Sequence, residues 1–98
     1  MEETKEETQE VKTKVHYITK KTSWEELKKL VGGYIEIAYD DDKTQIICNE
    51  EGKLLGLPYN IEATKFWDDL LRKRNPETNN SDILNGDIVI LTGDGLLE

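Results

Sequence analysis

Gly32-Gly33-Tyr34-Ile35-Glu36-Ile37 and Asn49-Glu50-Glu51-Gly52-Lys53-Leu54-Leu55-Gly56-Leu57-Pro58-Tyr59-Asn60 are the two runs whose reading decides the fold. The glycine pair stops a helix in the left-handed way and turns the chain into a strand. Tyr34 to Tyr39 alternates, with Ile35, Ile37 and Tyr39 expected on one face and Tyr34, Glu36 and Ala38 on the other. Asp40-Asp41-Asp42-Lys43 is a polar hairpin tip, and Thr44 to Asn49 returns as the partner strand. Asn49 to Gly52 reads as a second turn, with Gly52 supplying a positive φ. Lys53 to Leu57 is a short apolar segment, open to a reading as an extra edge strand. Pro58 cannot continue a central strand, so the chain leaves the sheet there.

Outward from this centre the pattern repeats in type. Upstream, Val15 to Thr19 has the β-branched and aromatic content of a strand. Thr22 and Ser23 each lie three residues before a glutamate, so either can cap a helix. The buried stripe of that helix would be Trp24, Leu27, Leu30 and Val31. Downstream, Asn60 is a good N-cap for a second helix carrying Ile61, Ala63, Phe66, Trp67, Leu70 and Leu71. Arg72-Lys73-Arg74 complements its negative end and Pro76 ends it. After the Asn85-Gly86 turn, Asp87 to Thr92 is a strand whose unbroken apolar run predicts burial on both faces. The order strand, helix, strand, strand, helix, strand predicts a single α+β domain. Its expected form is ferredoxin-like: an antiparallel or mixed sheet of four to five strands with both helices on one face.

Ninety-eight residues suit one domain. Residues 1–10 hold five Glu and one Lys with almost no apolar content, and are expected to be a disordered acidic tail preceding a domain at 11–98. The net charge of −8 repels duplex nucleic acid and anionic membrane at long range. A single Cys permits no intrachain disulfide, no apolar run reaches membrane length, and the acidic start is not signal-peptide chemistry. A cytoplasmic protein is expected.

The chemistry-bearing residues argue against an enzyme. His16 is the only histidine and sits mid-strand, where a plain surface residue is the simpler reading. With one Cys and one His, no zinc site of the usual soft ligands can be assembled, and no cofactor is expected. Asp40 to Asp42 lack calcium-loop spacing and read as a solvated tip that discourages edge pairing. Anion-site candidates are sharper. Lys20 and Lys21 precede a helix start at Thr22 and Ser23, and Arg72 and Arg74 end the second helix; plain capping and helix-end complementation compete with phosphate binding at both. Tyr59 and Asn60 could shape a site as an aromatic face and a base- or ribose-reading amide, unless Asn60 simply caps.

The motifs Gly32-Gly33-Tyr34-Ile35-Glu36, Asn49-Glu50-Glu51-Gly52-Lys53, Gly56-Leu57-Pro58-Tyr59-Asn60 and Gly86-Asp87 resemble those of a family of small domains of unknown function carried by phages and Gram-positive bacteria. The resemblance spans about residues 31 to 92 and draws attention to Glu36, Asn49, Glu50, Glu51, Gly52, Lys53, Pro58, Asn60, Gly86 and Asp87. It declares no reaction; it implies a phage setting, where small acidic domains without catalytic groups often counter host defence. Three function classes follow. The first is a non-catalytic protein that captures a small anionic ligand, such as a cyclic or ADP-ribose-type nucleotide immune signal, through Lys20, Lys21, Thr22, Glu36, Glu50, Lys53, Tyr59, Asn60, Arg72 and Arg74. The second is an acidic interaction module or polyanion mimic acting through Asp40 to Asp42, Glu50 and Glu51. The third is a metal-dependent hydrolase, with the least support. The first is narrowly preferred at this stage, and a homo-oligomer would give a ligand a deeper cleft than one protomer.

Overall fold

The computed structural model describes residues 12–98; the acidic tail expected at 1–10 lies outside the described residues. The chain forms β1 (Val15–Ile18), α1 (Trp24–Val31), β2 (Ile35–Asp40), β3 (Thr44–Asn49), α2 (Ile61–Arg74) and β4 (Ile88–Thr92), followed by a 3-10 turn at Gly93–Gly95. Ser23, rather than Thr22, caps α1: its Oγ accepts from the Glu26 N–H at 3.1 Å. Thr22 instead donates to the Lys20 carbonyl at 3.3 Å. Gly32 ends the helix at φ 82°, where a Cβ would be strained. Of the stripe read along α1, Leu27 and Val31 are buried and Leu30 half-buried, but Trp24 in the first turn is 55% exposed. On α2, Asn60 Oδ1 accepts from the Ala63 N–H at 3.0 Å, the cap expected of it.

The six elements form a four-stranded mixed sheet with two helices, the α+β class the sequence predicts. Its arrangement departs from the ferredoxin-like expectation in two respects. The strand order is β1-β4-β3-β2, with β1 parallel to β4 and the other neighbours antiparallel. Thus β1 is an edge strand and β4 an inner one. The helices also lie on opposite faces. Ile46, Cys48, Ile88 and Ile90 point to α2, meeting Ala63, Phe66, Trp67, Leu70 and Leu71. Ile47, Val89 and Leu91 point the other way, to Leu27 and Val31 of α1. The reason is the composition of β3 and β4, which are apolar at consecutive positions and must be covered on both sides. Each fully buried aliphatic side chain there contributes about 1.5–3 kcal/mol of transfer free energy.

Two local departures also have physical causes. Ile37 pairs with Ile47 but Tyr39 pairs with Ile46, so β2 carries a bulge at Ala38. The extra residue turns Tyr39 to the α2 face, opposite to Ile35 and Ile37. Tyr39 is buried there, with its hydroxyl donating to Asp41 Oδ2 at 2.6 Å and the Arg74 guanidinium 5.9 Å above its ring. Lys53 to Leu57 is not a strand but a run of tight turns: the N–H of Leu55, Gly56 and Leu57 bond the carbonyls of Glu51, Lys53 and Gly52. The left-handed residue is Gly56, at φ 70°, rather than Gly52.

Candidate functional site

The motif residues gather at the end of the sheet where β3 finishes. Glu36 comes from β2 and Cys48 and Asn49 from β3. Glu50, Gly52, Lys53 and Leu54 come from the turns, and Ile83, Leu84 and Asn85 from the segment before β4. Together they line a cleft of about 290 Å³. Most are held by the fold itself. Buried Asn49 donates to the Val31 carbonyl at 3.2 Å and accepts from the Glu51 N–H at 2.7 Å, pinning α1 and the turn to β3. Lys53 Nζ donates to the Ile83 carbonyl at 2.7 Å and pairs with Asp82 at 3.1 Å. The Lys53 ammonium, and then the Ile83 N–H donating at 2.8 Å, hold the Asp82 carboxyl below its usual range. Asn85 Nδ2 donates to the Leu57 carbonyl at 2.9 Å, but its buried Oδ1 has no partner among the described residues. Glu36 and Glu50, both exposed, have no cationic partner among the described residues. Leu54, on the rim, is 83% exposed.

Cys48 lies on the wall of this cleft with Sγ 4.0 Å from Glu36 Oε1. Burial, then the Glu36 charge, push its thiol up to about 11. A nucleophilic thiolate is therefore scarce at neutral pH. His16 cannot relieve this, because it pairs with Val89 and so faces α1, while Cys48 faces α2. Iodoacetamide at pH 8 should leave Cys48 unmodified in the native protein and alkylate it in urea, as read by intact mass. The raised pKa also fixes a sign. Since the native thiol keeps a proton that the unfolded one loses near 9, its contribution is intact below that pH and is lost as pH rises towards 11. Cys48→Ala should remove that part of the alkaline decline in the urea midpoint.

A second, larger cleft of about 710 Å³ opens at the other end of the sheet. Lys20, Lys21, Asp40, Asp42, Asp94 and Glu98 line it, with Gln45 at its base. Gln45 is buried and clamps the C-terminal segment, donating to the Leu97 carbonyl at 3.1 Å and accepting from its N–H at 2.7 Å. Asp41 is turned inwards. It accepts from Tyr39 and from the N–H groups of Lys43 and Thr44, at 3.0 and 2.8 Å, which hold its carboxyl below the usual range. Among the described residues, no three His, Cys, Asp or Glu side chains cluster to hold a metal ion.

The residues singled out from the sequence are thereby divided. Lys20 and Lys21 share the larger cleft, and Thr22 lines a small recess beside it with Lys21 and Trp24. Glu36, Glu50 and Lys53 meet in the motif cleft. Tyr59, 48% exposed, edges a third depression with Thr64, Lys65 and Asp68. Asn60 is 1% exposed and wholly occupied by hydrogen bonds to the fold. Arg72 pairs with Asp68 at 3.1 Å, and Arg74 sits over Tyr39. The basic groups and the aromatic–amide pair therefore do not converge on one anion site. Leu54, Asn85, Asp94 and Glu98 were not anticipated. Only Leu54 left a signal, as part of the short apolar run that follows the Asn49 to Gly52 turn.

Fold and clefts together define a small α+β domain with open, polar clefts at both ends of its sheet. The chain belongs to the family described as a domain of unknown function, DUF3846, which matches residues 3–96. No curated protein and no solved structure matches it.

Proposed function

We propose that the protein is a non-catalytic interaction module whose acidic end engages a basic segment of a partner protein. The observation that carries this reading is the make-up of the larger cleft, where Asp40, Asp42, Asp94 and Glu98 stand around Lys20 and Lys21. Four carboxylates against two ammonium groups give the cleft the sign of the whole chain. A basic segment is drawn into such a field and a polyanion is turned away. The lack of a thiolate at Cys48, with His16 on the other face of the sheet, supports a role without covalent catalysis. Resemblance to phage-carried domains adds a setting, in which the partner would be a host defence protein met in the cytoplasm of the infected cell.

Capture of a small anion is the competing reading, favoured by the placing of Lys20 and Lys21 in one cleft and weakened by the engagement of Arg72 and Arg74 elsewhere. Calorimetry separates the two. An oligo-lysine peptide should bind the native protein, weaken steeply with added salt, and lose about tenfold in affinity in Asp40→Asn/Asp42→Asn/Asp94→Asn. Asn at position 42 keeps the left-handed backbone there, at φ 76°, without strain. Cyclic and ADP-ribose-type nucleotides should give no heat. Nucleotide binding abolished by Lys20→Ala/Lys21→Ala, with no peptide binding, would replace this reading by anion capture.

A further inference from the structure

We infer that the motif cleft is a second, separate contact site that receives an arginine side chain of a partner protein, with an aliphatic neighbour of that arginine resting on Leu54 and Leu55. The inference extends the interaction reading but rests on different residues, at the opposite end of the sheet from Asp40, Asp42 and Asp94. Three features of the cleft point to this occupant.

The first is the surplus of acceptors. Glu36 and Glu50 bring two carboxylates without a cationic partner among the described residues, and Asn85 brings a buried Oδ1 with none to accept from. The cleft's own cation, Lys53, is already committed to Asp82 and to the Ile83 carbonyl, and so does not neutralise them. A guanidinium offers five N–H donors in a planar fork and no acceptor, which suits several dispersed oxygens better than a single ammonium point. The second is the apolar rim. Leu54 is 83% and Leu55 57% exposed, on a turn held by its own backbone hydrogen bonds, so neither side chain is needed to pack the fold. Exposed aliphatic groups beside a charged cleft are the composition of a protein contact rather than of a solvated turn. The third is size: about 290 Å³ suits one side chain and is small for a nucleotide. The residues that shape the cleft, Asn49 and Gly52, are buried, so its geometry exists before any partner arrives.

Titration of the full chain with acetyl-Leu-Arg-Leu-amide, followed by amide NMR shifts, tests the inference. Shifts should concentrate at Glu36, Cys48, Glu50, Leu54 and Asn85, and acetyl-Leu-Glu-Leu-amide should produce none of them. Glu36→Gln/Glu50→Gln should weaken binding about tenfold, and Leu54→Ser severalfold. Both variants alter exposed side chains, and their unchanged spectra elsewhere would establish that they fold. Shifts confined to Asp40, Asp42 and Asp94 would overturn the second site while leaving the acidic-end reading intact. Equal binding of the glutamate peptide, undiminished binding after the double neutralisation, or no shift at either end would also overturn it. Tighter binding of the lysine analogue would overturn the assignment of a guanidinium.

Discussion

Asn60→Ala is expected to lower stability by about 2–4 kcal/mol, read as a drop in the urea midpoint without a change in slope. The side chain is 1% exposed and uses both ends. Oδ1 caps α2 through the Ala63 N–H, while Nδ2 donates to the Lys14 carbonyl at 3.0 Å and the Gly86 carbonyl at 2.8 Å. One residue thus ties the helix start to the segment entering β1 and the turn entering β4. Loss of a cap costs about 1 kcal/mol, and stranding the Gly86 carbonyl adds its desolvation, about 1–3 kcal/mol, while the Lys14 carbonyl keeps the bond from the Ile88 N–H. Asn60→Asp separates the two contributions. Aspartate caps as well as asparagine, so if capping were all that mattered the substitution would be neutral. With a carboxylate oxygen facing two carbonyl oxygens, it should still cost more than about 1 kcal/mol. A variant as stable as the parent would mean that the Nδ2 bonds contribute nothing.

This residue also illustrates what the sequence could convey. Its capping role followed from position, an asparagine before an amphipathic run, and that role is present. The two additional bonds depend on Lys14 and Gly86, 46 and 26 positions away, and no local pattern encodes a contact at such separation. The same limit governs the sheet. The identity of all four strands and both helices was legible from alternation, caps and the Gly32-Gly33 stop, because these are local. Strand order was not, since the same βαββαβ string is compatible with β1 or β4 beside β3. One clue did bear on it. A final strand apolar at Ile88, Val89, Ile90 and Leu91 needs cover on both sides, which is incompatible with two helices on a single face; weighed fully, it would have placed α1 and α2 on opposite faces. The bulge at Ala38 had no signal, as a one-residue slip leaves the alternation of Ile35, Ile37 and Tyr39 looking intact.

The clefts were legible in a similar, partial way. Glu36, Glu50 and Lys53 were drawn together by motif and do share a wall, whereas Lys20 and Lys21 share a cleft that Arg72 and Arg74 do not join. Arg72 and Arg74 found partners one helical turn away and across the bulge, at Asp68 and Tyr39, because a long cationic side chain on a folded surface commonly meets an acid or a ring nearby. Composition counts such groups and cannot say which remain unengaged.

Ile90→Ala is expected to cost about 2–5 kcal/mol, against less than about 1 kcal/mol for Ile37→Ala. Both are strand isoleucines, but Ile37 sits in an alternating run and Ile90 in an unbroken apolar one, and their positions in the sheet match that difference. Ile90 is 1% exposed on β4, flanked by Tyr17 of β1 and Ile46 of β3, beneath the α2 face of the core. Truncation there leaves a cavity that two neighbouring strands and a helix cannot collapse to fill. Ile37 is 44% exposed on edge strand β2, opposite Ile47, where water replaces the lost methyl groups. Chemical denaturation of both variants under one condition measures the contrast. Equal costs would mean that β4 is not the inner strand, and the order β1-β4-β3-β2 would have to be revised; a large cost at Ile37 alone would instead put β2 inside the sheet.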